Sequence, residues 1–267
     1  MIRVELNPMA TLKQIENTLK ELLQPDLFND YCPNGLQVEG TPDVKRLITG
    51  VTACQALIDQ AVEKKADAIL VHHGYFWKGE DPCLTGIKRK RIATLIENNI
   101  SLLAYHLPLD AHPGLGNNAC VGNLLAKVLD IEQIIPGDGS QLVWQARLKS
   151  PVTSEGFRQH LADTLGHQSS SSILHIAGGK DAGSIQNLAW CTGAAQGYID
   201  QAADMGVDAY ISGEVSEQTV HVARERKIHY FSAGHHATER YGVQALGNHL
   251  AKTLGIEHQF IDINNPV

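Results

Sequence analysis

Between residues 11 and 24 the apolar positions Leu12, Ile15, Leu19, Leu22 and Leu23 recur every three or four residues, with polar side chains between them. That period predicts an amphipathic helix, with Thr11 as its cap and Pro25 as its stop. From Arg46 the rhythm changes to short β-rich runs that alternate with helical ones. Residues 47–51, 68–72 and 100–105 read as strands, and the stretches around 57–64 and 92–98 as helices. A chain that alternates in this way builds βαβ units around a parallel sheet, so the expected fold class is α/β.

Residues 136–186 have a different character. Two apolar runs, 142–146 and 173–176, flank a helical stretch at 157–165, and Ser169 to Ser172 read as a polar loop. The run 178–184, Gly-Gly-Lys-Asp-Ala-Gly-Ser, has the look of a phosphate loop but not its Gly-x-x-x-x-Gly-Lys-Ser/Thr order, so it reads as a turn. From Leu188 the alternation returns and reaches residue 263. The expected organisation is a first α/β half at 1–130, a less regular inserted segment at 131–187, and a second α/β half at 188–267 that packs with the first.

An internal repeat supports two related halves. Ile58-Asp59-Gln60-Ala61 followed by Ala66-Asp67-Ala68 matches Ile199-Asp200-Gln201-Ala202 followed by Val207-Asp208-Ala209, at a constant offset of 141 positions. Upstream, Thr49-Gly50 is matched to Thr192-Gly193 after a two-residue shift. The first copy ends in His72-His73 and the second in Gly213-Glu214. The next strand of each half leads into His-x-x-x-carboxylate, His106 to Asp110 in one and His235 to Glu239 in the other. Strand carboxyl ends are where α/β sheets bind ligands, because loops open there and helix N-termini point outward.

Composition narrows the chemistry. A net charge of −7 over 267 residues argues against a nucleic-acid or anionic-membrane surface, which needs clustered Lys and Arg. The five cysteines form no Cys-x-x-Cys pair, so neither a disulfide framework nor a zinc ribbon is indicated. Residues 1–6 lack the apolar core of a signal peptide, and no run of about 18 apolar residues occurs, which makes the cytoplasm the expected compartment.

Thirteen histidines are the compositional oddity, with clusters at His72-His73, His106 with His112, and His235-His236. Imidazoles and carboxylates together suit borderline divalent ions such as Zn²⁺, Fe²⁺ or Mn²⁺. Adjacent His72 and His73 on an extended backbone project to opposite sides, which suits two ions better than one. Asp110 or Glu239 then bridges the pair, and water between the ions becomes hydroxide near neutral pH. The same histidines also fit a substrate pocket as stacking or hydrogen-bonding groups. Tyr75-Phe76-Trp77 reads either as an aromatic wall for a planar base or as cover for the sheet. Lys88-Arg89-Lys90-Arg91 reads as the solvated first turn of a helix, and Ser216 as a helix cap, with Glu214 able either to cap or to reach the ligand site.

Four runs in order resemble a known family: Tyr31-Cys32-Pro33-Asn34-Gly35-Leu36-Gln37-Val38, Val71-His72-His73-Gly74-Tyr75-Phe76-Trp77, His106-Leu107-Pro108-Leu109-Asp110-Ala111-His112-Pro113, and Gly234-His235-His236-Ala237-Thr238-Glu239-Arg240. They are similar to the Nif-three-like dinuclear metal proteins, also named GTP cyclohydrolase I type 2 homologs, over nearly the whole chain. The resemblance implies two pseudo-related α/β halves with a metal cleft between them and a homo-oligomeric, hexameric ring. It also implies two divalent ions per subunit on His72, His73, Asp110, His235 and Glu239, with Glu239 bridging. His106 matches a histidine beside the metals and is the expected catalytic acid or base, while His112 and His236 read as packing or hydrogen-bonding groups. The expected function is a dinuclear-metal hydrolase acting on a small molecule, cyclohydrolase-like or nucleotide-directed, with metal-generated hydroxide as nucleophile. A non-catalytic metal-binding or regulatory scaffold is the competing reading.

Overall fold

The computed structural model describes residues 9–137, 142–179 and 183–267. Residues 180–182 of the expected turn and residues 1–6 of the N-terminus lie outside the described residues. In chain order the elements are β1 (Ala10–Thr11), α1 (Leu12–Leu23), β2 (Gly35–Val38), β3 (Asp43–Val44), β4 (Arg46–Thr52), α2 (Gln55–Glu63), β5 (Ala68–His73), α3 (Gly86–Glu97), β6 (Ser101–Ala104), α4 (Leu107–Ala111) and α5 (Asn117–Val128). They continue as β7 (Ile131–Ile135), β8 (Trp144–Val152), α6 (Ser154–Leu165), β9 (Leu174–Ile176), β10 (Ile185–Trp190), α7 (Ile199–Asp204), β11 (Ala209–Ser212), α8 (Glu217–Glu225), β12 (His229–Ser232), α9 (His235–Leu254) and β13 (Glu257–Phe260). The protein is α/β, and the chain divides into two compact units: Met1–Leu109 with Gly242–Asn264, and Asp110–Tyr241 with Asn265–Val267.

In the first unit, α1 begins where the sequence places it. Thr11 Oγ1 accepts from Gln14 N, and the Gln14 side chain accepts from Thr11 N, a reciprocal cap that satisfies two otherwise orphaned donors. Leu12, Ile15, Leu19 and Leu23 are buried, and Pro25 opens a single 3-10 turn that ends the helix. The main sheet runs β13-β4-β5-β6-β2, with β2 alone antiparallel to its neighbour β6. Ile48, Ile69, Val71 and Leu102 face the apolar side of α2 and α3 through Leu57, Ile58, Ile92 and Leu95. The alternate positions Leu47, Leu70 and Leu103 are buried as well, as expected of parallel strands covered on both faces.

In the second unit the sheet runs β7-β8-β10-β11-β12-β9, with β10, β11 and β12 parallel and the outer pairings antiparallel. Residues 131–187 supply β7, β8, β9, α6 and the first half of β10 to it. The pleat sorts neighbouring residues into two cores: Leu188, Trp190, Ile211 and Phe231 pack with Leu125, Phe157 and Leu161. Ala189, Tyr210 and Tyr230 pack with Ile199, Ala202 and Ala223.

The repeat extends to the hydrogen bonds. Asp67 Oδ2 accepts from Lys45 N and Arg46 N at 2.9 and 2.8 Å, and Asp208 Oδ2 accepts from Gln186 N and Asn187 N at 2.9 and 2.7 Å. All three residues of each set are related by the same 141-residue offset. At that offset Gly193 corresponds to Thr52, so the sequence match of Gly193 to Gly50 does not hold. Gly50 sits within β4, where a Cβ would strike Leu57, whereas Gly193 follows β10 in a left-handed turn at φ +69°.

One close approach in the second unit makes a test of its packing. A Cβ on Gly122, in α5, would lie 2.8 Å from Trp190 Cζ2, and Trp190 is fully buried with its indole N–H donated to Asn118 O. Overpacking costs about 1–3 kcal/mol, which outweighs the ~1 kcal/mol that Ala gains over Gly in a helix. Gly122→Ala is therefore expected to lower the urea midpoint, followed by far-ultraviolet circular dichroism. A raised midpoint would mean that the indole swings aside at no cost.

Candidate metal centre

In the first unit the carboxyl ends of β5 and β6 bring three histidines together. His72, His73 and His106 each offer a ring nitrogen, and the three atoms lie within 4.8 Å of one another. The His72 and His73 ring centroids are 4.5 Å apart, so the expectation that strand alternation would separate them is corrected. His73 is the last residue of β5, where the pleat no longer holds its side chain to one face. His72 is buried and its Nδ1 lies 2.9 Å from Tyr105 O, and His73 Nδ1 lies 3.1 Å from Thr52 Oγ1. A carbonyl only accepts, so His72 carries its proton on Nδ1.

His106 is held by a residue that local sequence reasoning missed. Its Nδ1 lies 2.7 Å from Asp30 Oδ1, and its backbone N–H donates to Asn34 Oδ1 at 2.7 Å. Asp30 also accepts from Tyr31 N, Asn34 Nδ2 and Leu107 N. Burial alone would raise the Asp30 carboxyl, but the His106 and Asn34 hydrogen bonds, the His106 charge and the Tyr31 N–H outweigh it and bring its pKa down from 3.8 to about 2. Cys32 lies close to Asp30 and His106, yet burial and the Asp30 charge push its thiol up to about 12, so it stays protonated and is a poor ligand.

The aromatic run divides its labour. Tyr75 is packed, with its hydroxyl donated to Ala53 O, whereas Trp77 stands edge-on to His106 at 5.0 Å. Between them Phe76 adopts φ +65° with Lys88 Nζ over its ring, and Lys88 also pairs with Glu80. The basic run does open α3, as expected, but Lys88 is tied down while Arg89 and Lys90 are exposed.

In the second unit Asp110 and Glu239 are both buried carboxylates. Asn117, the first residue of α5 and fully buried, donates to Asp110 Oδ1 at 2.8 Å, and Thr192 Oγ1 lies 3.4 Å from the same oxygen. His235 and Glu239 stand one turn apart on α9, with Nε2 to Oε2 at 3.0 Å. Glu214 Oε1 accepts from the other side of the ring, at 2.7 Å from Nδ1. Burial would lower the His235 pKa, but the two carboxylates outweigh it and raise it from 6.5 to about 9. Glu214 thus steadies a histidine, and the cap of α8 is made by Ser216 with Thr219.

Gly193 makes room for this pair. A Cβ there would sit 1.9 Å from Glu239 Oε1 and 3.3 Å from His235 Nε2. The two His-x-x-x-carboxylate runs therefore differ. His235 and Glu239 meet on a helix, while His106 turns to Asp30 and Asp110 is anchored by Asn117. His112 accepts backbone N–H groups from Gly114 and Leu115, a structural role, and His236 is buried.

All five cysteines are free thiols. Among the described residues no helix is long and apolar enough to cross a membrane.

Comparison with known proteins places these residues in a wider set. Residues 10–266 match the profile of the family described as Duf34/NIF3 (NGG1p interacting factor 3). A Pseudomonas aeruginosa protein named GTP cyclohydrolase 1 type 2 homolog is 56% identical over 240 residues, 90% of this chain and 92% of its own. A Haemophilus influenzae protein of the same name is 52% identical, over 95% and 98% of the two chains. Among solved structures, protein ybgI, described as of unknown function, superposes with a TM-score of 0.88 at 46% identity over 97% of this chain and all of its own. A Thermus thermophilus protein gives 0.83 at 28% identity over 97% and 100%.

The Asp30 carboxyl yields a pH test. Its folded pKa lies below its ordinary value, so the stability it contributes is present above about pH 4 and is lost as the pH falls through about 2. Asp30→Asn is expected to cost on the order of 2 kcal/mol near neutral pH. In urea titrations the gap to the parent protein should narrow between about pH 4 and pH 2. A gap that is the same at both ends of that window would mean that the carboxylate charge contributes nothing.

Proposed function

The chain belongs to the Duf34/NIF3 family, and on that premise we propose that it is a hydrolase working with two divalent ions, Zn, Fe or Mn. His72, His73, Asp110, His235 and Glu239 hold the ions in this reading, with Glu239 as the bridge. The name carried by the relatives, GTP cyclohydrolase 1 type 2 homolog, supports a nucleotide as the substrate. Assembly into a hexameric ring belongs to the same reading and rests on the resemblance alone; a cytoplasmic setting is part of the proposal as well.

The observation that carries the proposal is the chemistry of the donors. Each of the three histidines assigned as ligands has Nδ1 against a protein oxygen, of Tyr105, Thr52 or Glu214, which leaves Nε2 as the ligating atom; that of His235 lies 3.0 Å from Glu239 Oε2, the carboxylate assigned to the same ions. Metal-ligating imidazoles use their second nitrogen in this way, because it fixes ring orientation and raises ligand basicity. The carboxylates are buried, as ligands that must compete with water require, and Asn117 fixes the orientation of one of them. Ions of this class supply Lewis acidity and a water acidic enough to attack near neutral pH. His106, with Nδ1 against Asp30, offers Nε2 to take up and return a proton, and Trp77 restricts the tilt of its ring.

Elemental analysis of gently purified or metal-reconstituted protein is expected to find about two ions per chain, lost when His72 and Glu239 are both replaced by Ala. A preparation without transition metal would overturn the proposal. Kinetics over a nucleotide panel then separate ligand from acid–base group. Asp110→Ala is expected to lose metal and activity together, whereas His106→Ala keeps its metal and loses about 10²- to 10⁴-fold in rate. Metal-replete protein inert toward every substrate class would favour the scaffold reading, and His106→Ala stripped of metal would make His106 a ligand.

A further inference from the structure

We propose that Asp30 is the positioning residue of His106: its carboxylate fixes the imidazole as the Nδ1–H tautomer, so that Nε2 is the lone-pair atom. The inference rests on the reading of His106 as a proton-transfer group, but its test does not need a substrate.

The argument is one of donor and acceptor counting. Asp30 lies in the loop after α1, and its side chain is only 3% exposed. Oδ2 accepts from Asn34 Nδ2 at 2.8 Å and Leu107 N at 2.9 Å, while Oδ1 accepts from Tyr31 N at 2.6 Å and meets His106 Nδ1 at 2.7 Å. Three of these four partners are fixed N–H donors, so the carboxylate is an acceptor throughout, and the fourth partner must also donate. The proton of a neutral His106 ring is therefore on Nδ1.

The residue is gripped twice. Asn34, which donates to Asp30, also accepts from the His106 backbone N–H, so ring and backbone are indexed to one loop. Trp77, edge-on at 5.0 Å, restricts rotation about the remaining torsion. The carboxylate–imidazole pair is the arrangement by which hydrolytic enzymes hold a histidine in one tautomer and steady the imidazolium formed when it takes a proton.

Replacement by the isosteric amide gives an outcome that loss of packing would not. In Asp30→Asn one end of the side chain becomes a donor. Turned toward Leu107 N and Asn34 Nδ2, that donor would face two others; turned toward the ring, it faces only Tyr31 N and a nitrogen able to switch to acceptor. The second orientation forces His106 into the Nε2–H tautomer.

The test is nitrogen NMR on metal-free protein labelled with ¹⁵N in histidine, at about pH 9 where an ordinary imidazole is neutral, with the His106 signals assigned by their loss in His106→Gln. The parent protein is expected to show Nδ1 protonated and Nε2 bare, and Asp30→Asn to show the reverse, a shift in tautomer ratio of tenfold or more. An Nε2–H ring or an imidazolium in the parent would overturn the proposal, as would an unchanged tautomer in Asp30→Asn. If that variant does not fold, the parent spectrum still decides. Where a turned-over substrate is found, Asp30→Asn should lower the rate about 10- to 100-fold with metal content unchanged. Failure of the hydrolase reading would leave the tautomer result standing.

Discussion

Asp67 and Asp208 set the register on which the candidate ligands depend. Each carboxylate gathers two consecutive backbone N–H groups at the start of the neighbouring strand and so fixes where a parallel pair begins. Side chains alternate along a strand, and a slip of one residue would send every inward group outward. The carboxylates act at the starts of β4 and β10, while the chemistry sits at the far ends of the strands that follow. His72 and His73 close β5, and Gly213 and Glu214 follow β11 at the same offset. Anchoring one end thus delivers defined side chains at the other.

The two units use this shared frame differently. In the first, the strand ends carry imidazoles, each held through Nδ1 by a protein oxygen. In the second, Glu214 follows β11 and His235 opens α9 just after β12, and the ring is held between two carboxylates, Glu214 at Nδ1 and Glu239 one turn on at Nε2. Pro108 contributes to the divergence, since its fixed φ starts the short α4 directly after His106 and leaves that ring to a partner from another loop.

What is legible in the sequence is local. The Thr11 cap, the stop at Pro25, the alternation of strands and helices and the histidines at strand ends all follow from patterns within a few residues. The 141-residue repeat is visible because Asp67 and Asp208 have the same backbone duty. What stays hidden depends on partners far apart in the chain. Asp30 sits 76 positions before His106, and nothing near it in sequence marks its acceptor role. Asn117 looks like any helix-opening residue until Asp110 is folded against it. Gly193 pairs with Gly50 in the sequence because both follow threonine, although one accommodates a carboxylate and the other a leucine.

The indole of Trp190 touches this machinery in a way that gives the protein its own optical gauge. It is buried, lies 6.0 Å from the ring of Trp144, and donates to the carbonyl of Asn118, the residue next to the one that holds Asp110. Asn118 also accepts from the Thr192 N–H through its side chain. Any shift of the Asp110 anchor is therefore transmitted to a chromophore shielded from solvent quenching, and the intrinsic emission of the second unit carries information about the posture of its carboxylate.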